Sequence, residues 1–173
     1  MLTQEQEQWI NHLSDTEKVS VIPFDPTCDA KFLIIKELIQ SVLGFEQSVE
    51  HRGASSLGIS GQDEIDVYVP VPVEKFNKVI SLVTNLFGEP RSHYPLKRAR
   101  FVKYVEKKHI DIFVINQKDV GWKDCAKFHS FLLSHPQALD SYRKLKEESA
   151  GQSVREYYRR KIEFINEILS KII

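Results

Sequence analysis

At 173 residues, 42% hydrophobic and 28% charged, the chain has the size and make-up of one ordinary globular domain, which excludes disorder, collagen-like repetition and low-complexity character. Its 24 basic and 24 acidic residues cancel, so it lacks the concentrated positive field of a general nucleic-acid binder, and nucleic acid is not an expected partner. The two cysteines, Cys28 and Cys125, lack the paired spacing of a zinc site or a disulfide framework and read as buried thiols.

The first residues, Met1 to Gln6, carry neither a basic n-region nor an apolar h-region, so no leader and a cytoplasmic address are expected. Thr3 with Gln6 forms a capping box, and Trp9, Ile10 and Leu13 recur at helical spacing, which predicts a short first helix to about Leu13, an appendage to the core. Lys18 to Pro23 alternates weakly as a strand. Phe24-Asp25-Pro26 turns the chain into a helix carrying Phe32, Ile35, Leu38, Ile39 and Val42 on one side, with Gly44 as its C-cap. The apolar run from Phe32 to Leu43 is broken by Lys36 and Glu37 and is too short for a hydrocarbon core of about 30 Å, so no membrane span is expected.

A strand around Ser48 to Arg52, a Gly/Ser-rich loop from Gly53 to Gly61 and a strand from Glu64 to Val71 come next. Pro72 starts a helix that ends near Phe87, before Gly88. Arg98 to Glu106 and His109 to Ile115 are β-like on either side of Lys107-Lys108, which predicts an antiparallel two-residue hairpin. Arg91, Lys97, Arg98, Arg100, Lys103, Lys107 and Lys108 crowd this region, where Glu106 is the sole acid. A solvated hairpin, its lysines discouraging edge pairing, accounts for them more simply than a phosphate-facing patch.

From Asp119 the period becomes helical: Trp122 to Leu133, a helix opened by a capping box at Ser134 to Gln137 and running to about Glu148, a stop at Gly151, then a last helix capped by Ser153 and Glu156. The expectation is an α+β (α/β) fold in a single domain over 1–173. A small mixed β-sheet backed by helices occupies 1–117, and an all-helical tail occupies 118–173.

Pleating puts Glu64, Asp66 and Tyr68 on one side of their strand and Ile65, Val67 and Val69 on the other. The same parity groups His109, Asp111 and Phe113 against Ile110, Ile112 and Val114. If the two strands are neighbours in register, the Asp66 and Asp111 carboxylates lie about 5 Å apart. Such like charges are relieved by a divalent cation with oxygen ligands; isolated acids on a solvated sheet face are the other reading. Gly53-Ala54-Ser55-Ser56-Leu57-Gly58, ahead of the acid-bearing strand, offers backbone N–H groups and two hydroxyls of the kind that hold phosphate oxygens. Loop and acids together are more specific than either alone.

Several of these residues recur as a set. Phe24-Asp25-Pro26, Glu50-His51-Arg52-Gly53-Ala54-Ser55-Ser56, Ile65-Asp66-Val67, Phe128, His135-Pro136, Tyr142, Lys146, Tyr157 or Tyr158, and Lys161 stand in the order and spacing of the GrpB family. The resemblance runs from Val19 to Ile168. It implies a nucleotidyltransferase-like fold in which a Gly-Ser loop precedes a strand of metal-binding acids and a further acid comes from a later strand. On that likeness Gly53, Ser55 and Ser56 form the phosphate loop, Asp66 is the first ligand of Mg²⁺ (or Mn²⁺), and Asp111 is the later carboxylate. The family's Gly-Ser is Gly53-Ala54 here, Tyr68 stands where a second acid is common, and Glu64 is its substitute on the same face. The helical Arg-Asp of the family is His129-Ser130, and a later Arg is Leu133.

His51 is a candidate for orienting a phosphate, a locally bonded strand-end histidine being the simpler reading. His109 is a candidate ligand or substrate contact beside Asp111. Arg100, Arg143, Lys146 and Lys161 are candidates for holding phosphates, with a wet helix face as the plain alternative for the last three. Trp122, Tyr142, Tyr157 and Phe164 read as core packing, with stacking on a base as the alternative. The resulting expectation is a monomer or homodimer that binds Mg²⁺ or Mn²⁺ and a nucleotide or other phosphorylated small molecule between sheet and tail. Such a protein would transfer a nucleotidyl group; a catalytically degenerate ligand-binding or protein-interaction module is the alternative.

Overall fold

The computed structural model describes residues 1–172. The expected mixed α+β architecture with a helical C-terminal region is present. The chain divides into two compact units. One holds 25–58 and 63–123; the other holds, among the described residues, 1–24, 59–62 and 124–172.

The first unit is a five-stranded sheet with two helices on one face. Strands β1 (Glu50–Arg52), β2 (Glu64–Val71), β3 (Ser92–Tyr94), β4 (Arg98–Val105) and β5 (Lys108–Asn116) lie in the order β1-β2-β5-β4-β3. Only the central pair, β2 with β5, is parallel, and it is in register from Glu64 opposite His109 to Val71 opposite Asn116. Ile65, Val67, Val69, Ile110, Ile112 and Val114 on one face of this pair are fully buried. They form one core with Phe32, Ile35 and Ile39 of α2 (Cys28–Leu43) and Phe76, Val79 and Val83 of α4 (Phe76–Phe87). Each such side chain contributes about 1.5–3 kcal/mol by burial. Capping terms near about 1 kcal/mol are small beside this sum, so the apolar parity of the strands sets which side chains face away.

α2 and α4 stop at Gly44 and Gly88, both at positive φ (94° and 84°). A short 3₁₀ turn, Val73–Lys75, precedes α4, and a four-residue helix, α3 (Gly53–Ser56), follows β1 where a loop was expected. α5 (Val120–Ser134) is capped by Asp119, whose carboxylate accepts from Trp122 N at 3.1 Å.

The second unit holds α1 (Gln4–Asn11), most of α5, α6 (Pro136–Glu148) and α7 (Val154–Lys171). Phe128, Tyr142 and Phe164 pack as an aromatic trio, centroids 5.2–6.3 Å apart. The Thr3–Gln6 capping box forms, but α1 is more than an appendage: Ile10 is fully buried and Glu7 makes a two-pronged ion pair with Arg159 of α7.

Further local expectations change. Lys18 to Pro23 is not a strand; it makes isolated bridges, Lys18 with Ser153 and Ile22 with Gly61, because those partners belong to a helix cap and a loop rather than a ladder. Ser134 does not cap α6, since its hydroxyl turns back to the carbonyls of Ser130 and Phe131 and closes α5; His135 takes the cap position. β3 was not anticipated. Neither cysteine is in a disulfide; Cys28 is buried, which pushes its thiol up, whereas Cys125 is only half-buried. No helix among the described residues is long and apolar enough to cross a membrane.

The β4–β5 turn falls on Glu106-Lys107, not Lys107-Lys108. Both residues have positive φ (49° and 69°), as a type I′ turn requires. The right-handed twist of the strands demands that turn even without glycine, and each L-residue held there costs about 1–2 kcal/mol. Lys107→Gly should therefore raise stability by about 0.5–1 kcal/mol after the added chain entropy of glycine, read as a higher urea midpoint at unchanged slope.

Candidate functional site on the sheet face

Across the sheet, Cα register aligns Arg52, Asp66, Asp111 and Val102 in one row, on the face opposite α2 and α4. Glu64 and His109 form the next row together with Tyr104. Asp66 and Asp111 are thus Cα partners on neighbouring strands, in the register that the parity argument required.

Asp111 is the fixed point. It is 4% exposed, and Arg100 of β4, one row away, donates from Nε to Oδ1 and from Nη2 to Oδ2, both at 2.9 Å. His109 Nε2 lies 2.9 Å from the same Oδ1. A carboxylate only accepts, so the imidazole places its proton on Nε2 and leaves Nδ1 facing the Tyr104 hydroxyl at 3.3 Å. The bidentate bond to Asp111 holds Arg100 above the ordinary guanidinium range, with Glu64 and Asp66 adding to the effect from farther off. Glu64 makes no ion pair among the described residues, and its carboxylate lies with the ligand atoms of His109 and Asp111 inside one 4.8 Å group.

Two carboxylates and one imidazole at that spacing can hold a divalent cation. Mg²⁺ favours an all-oxygen octahedron, whereas Mn²⁺ and later metals accept imidazole as well, so the donor set fits Mn²⁺ better. The converging trio is Glu64, His109 and Asp111; Asp66 flanks it. Asp66 packs against the turn at Gly53, where φ is +75° and a Cβ would overlap Asp66 Oδ2 and lie 3.0 Å from its Cγ.

The expected phosphate loop is differently occupied. Ser55 is buried with its hydroxyl 2.9 Å from His51 Nε2, and Ser56 Oγ donates to the Gly53 carbonyl at 2.9 Å. His51 pairs with Val67 in the β1–β2 register and so belongs to the helix-packed face, its ring stacked on Phe32. Its Nδ1 is 3.2 Å from Asp29 Oδ1 at the start of α2. The Asp29–His51–Ser55 chain ties α2 to the turn that carries Gly53, which makes His51 a brace for the site rather than part of its surface. Lys146 and Lys161 lie in the helical unit. Lys146 is buried, donates to the Tyr157 hydroxyl at 2.9 Å and sits over the Tyr142 and Tyr157 rings, while Lys161 sits over Tyr157 and Tyr158. Arg143 pairs with Asp140 and Glu147 on the surface.

Two residues further along β2 and β5 the same face becomes aromatic. Tyr68 stacks on Phe113 (4.8 Å) and on Trp122 (5.3 Å), Arg52 lies over Trp122, and Arg98 lies over Phe113 and Tyr94. Tyr104, Arg98 and Asp29 were not singled out for these roles from the sequence. Even-numbered parity along β4 would have put Arg98, Arg100 and Tyr104 on the acid face; nothing local marks Asp29.

The family model described as GrpB protein matches residues 18–171. The chain belongs to the GrpB family. Among solved structures, the conserved protein GrpB from Enterococcus faecalis is similar, with a TM-score of 0.67 at 18% identity over 88% of this chain and 98% of that one. At that identity the likeness is one of fold. None of the curated proteins compared with this GrpB-family chain matches it.

Two outcomes are expected. Gly53→Ala should cost about 2 kcal/mol or more, from left-handed backbone strain plus the overlap with Asp66, seen in urea denaturation. Burial, opposed by Asp29, holds the His51 imidazole below its ordinary value of 6.5. The unfolded chain therefore binds the proton more readily, so the contribution of neutral His51 is complete above 6.5 and is lost as pH falls through the folded value. Urea midpoints should drop further between about pH 7.5 and about pH 5 in the wild type than in His51→Gln; equal drops would contradict this.

Proposed function

We propose that this GrpB-family chain binds a divalent cation together with a nucleotide or other phosphorylated small molecule on the acid-bearing sheet face. The observation that carries the reading is the convergence of Glu64, which makes no ion pair among the described residues, on His109 and Asp111 within 4.8 Å. Arg100 and His109 engage Asp111, while the Glu64 carboxylate beside them is balanced by no ion pair among the described residues, and a divalent cation between the three groups would balance it.

In this reading Glu64, His109 and Asp111 hold Mn²⁺, or Mg²⁺ less well, and Asp66 adds negative charge beside it. For His109 to ligate through Nε2, the proton that Nε2 gives to Asp111 would have to sit on Nδ1 instead, donated to the Tyr104 hydroxyl, which would then orient the imidazole. Once bound, the cation would neutralise phosphate charge and polarise a phosphoryl oxygen. Arg100, about two-fifths exposed at its side chain, offers a planar fork to the oxyanion. The nucleotidyltransferase-like resemblance makes transfer of a nucleotidyl group the reaction class to test. One observation favours binding without transfer: Tyr68, where a second acid is common in that fold, is stacked between Phe113 and Trp122.

The test is thermal unfolding with Mn²⁺ or Mg²⁺, with and without each nucleoside triphosphate, alongside assays for pyrophosphate release. A ligand near 100 times its Kd stabilises by about 2.7 kcal/mol. The expected result is a metal-dependent rise in Tm, larger with Mn²⁺, that Asp111→Asn and Glu64→Gln remove. No shift with any combination would overturn the proposal, and a shift without turnover would select binding over transfer.

A further inference from the structure

Resting on the cation-binding reading above, we infer that Arg100 is a displaceable counter-ion: it closes Asp111 until an oxyanion takes its guanidinium, so that oxyanion and divalent cation bind cooperatively.

The lone pairs of Asp111 carry the first step. Oδ1 already accepts from Arg100 Nε and faces His109 Nε2, and Oδ2 accepts from Arg100 Nη2, each at 2.9 Å. An oxygen that accepts two such bonds has little left for a metal, and a guanidinium in contact with the same carboxylate repels a divalent ion strongly. The cation therefore enters only as Arg100 leaves or swings aside.

The side that moves is set by burial. Asp111 sits in the middle of β5 and is nearly inaccessible, while Arg100 is a long, part-exposed side chain reaching across from β4. Removing Arg100 with nothing in its place would strand a buried carboxylate, which explains why the ion pair closes. A tetrahedral oxyanion matches the same planar fork as a carboxylate, so a phosphate can exchange for Asp111 on Arg100 while a metal replaces Arg100 on Asp111. No charge is then left buried and unpaired at either end. Linkage makes the coupling reciprocal: whatever factor the oxyanion adds to metal affinity, the metal adds to oxyanion affinity.

The experiment uses the full chain, Mn²⁺ alone and inorganic sulfate, a tetrahedral oxyanion that complexes Mn²⁺ weakly in solution. Free Mn²⁺ is followed by electron paramagnetic resonance, with chloride exchanged for sulfate at constant ionic strength. Sulfate should tighten Mn²⁺ binding by the wild type about fivefold or more, the lower end of ordinary coupling. Arg100→Gln should bind Mn²⁺ about fivefold or more tightly than wild type without sulfate and lose the response to it. Its melting temperature should fall without metal and recover with Mn²⁺. Arg100→Lys, which keeps the charge without the fork, should lie between. The wild-type sulfate series stands even if a substituted chain fails to fold. Mn²⁺ binding that ignores sulfate, or that weakens in Arg100→Gln, would overturn the counter-ion role while leaving the metal site. Absence of Mn²⁺ binding from wild type under every condition would overturn the metal site and the coupling together.

Discussion

The in-register parallel pairing of β2 with β5 governs what the rest of this sheet can do. Its inward face is a block of fully buried isoleucine and valine, and a one-residue slip of either strand would exchange that block for Glu64, Asp66, His109 and Asp111. Burial of several branched side chains outweighs any single polar contact, so the core dictates the register, and the register in turn gathers the acids. The site geometry is thus a by-product of hydrophobic packing. A left-handed turn that only glycine fits at residue 53 and an ion pair at Arg100 refine it without determining it.

Much of this was legible from parity alone. The alternation in Glu64 to Val71 and in His109 to Ile115 is enough to assign faces, and helix starts and stops at Thr3, Gly44, Gly88 and Ser153 carried their own local chemistry. The hairpin register was off by a turn residue. Moving the turn from Lys107-Lys108 to Glu106-Lys107 shifts each partner by two, which leaves both faces intact and explains why the error did no damage to the site.

What could not be read depends on contacts that sequence spacing does not encode. Arg100 reaches Asp111 diagonally, a choice available to any long side chain on β4, and only the finished sheet selects it. His51 stands next to the site in sequence but on the opposite face, because the three-residue β1 is too short to reveal parity. Ser55 looks like a phosphate-binding hydroxyl in a Gly/Ser run, yet α3 turns it inward onto that same histidine. The basic stretch from Arg91 to Lys108 likewise changes character once folded. Arg100 is taken by Asp111, Lys108 by Asp25 and Asp63, and Arg98 by aromatic rings.

Both outermost strands of the sheet, β1 and β3, are only three residues long. A short border exposes few backbone donors and acceptors for a stray chain to continue, and β1 carries a Glu50–Arg52 pair where an extension would dock. Each stub covers only part of its longer neighbour: β1 pairs with β2 from Asp66 to Tyr68, and β3 pairs with β4 from Arg98 to Arg100. A sheet that displays acids on one side thereby ends in short, polar borders.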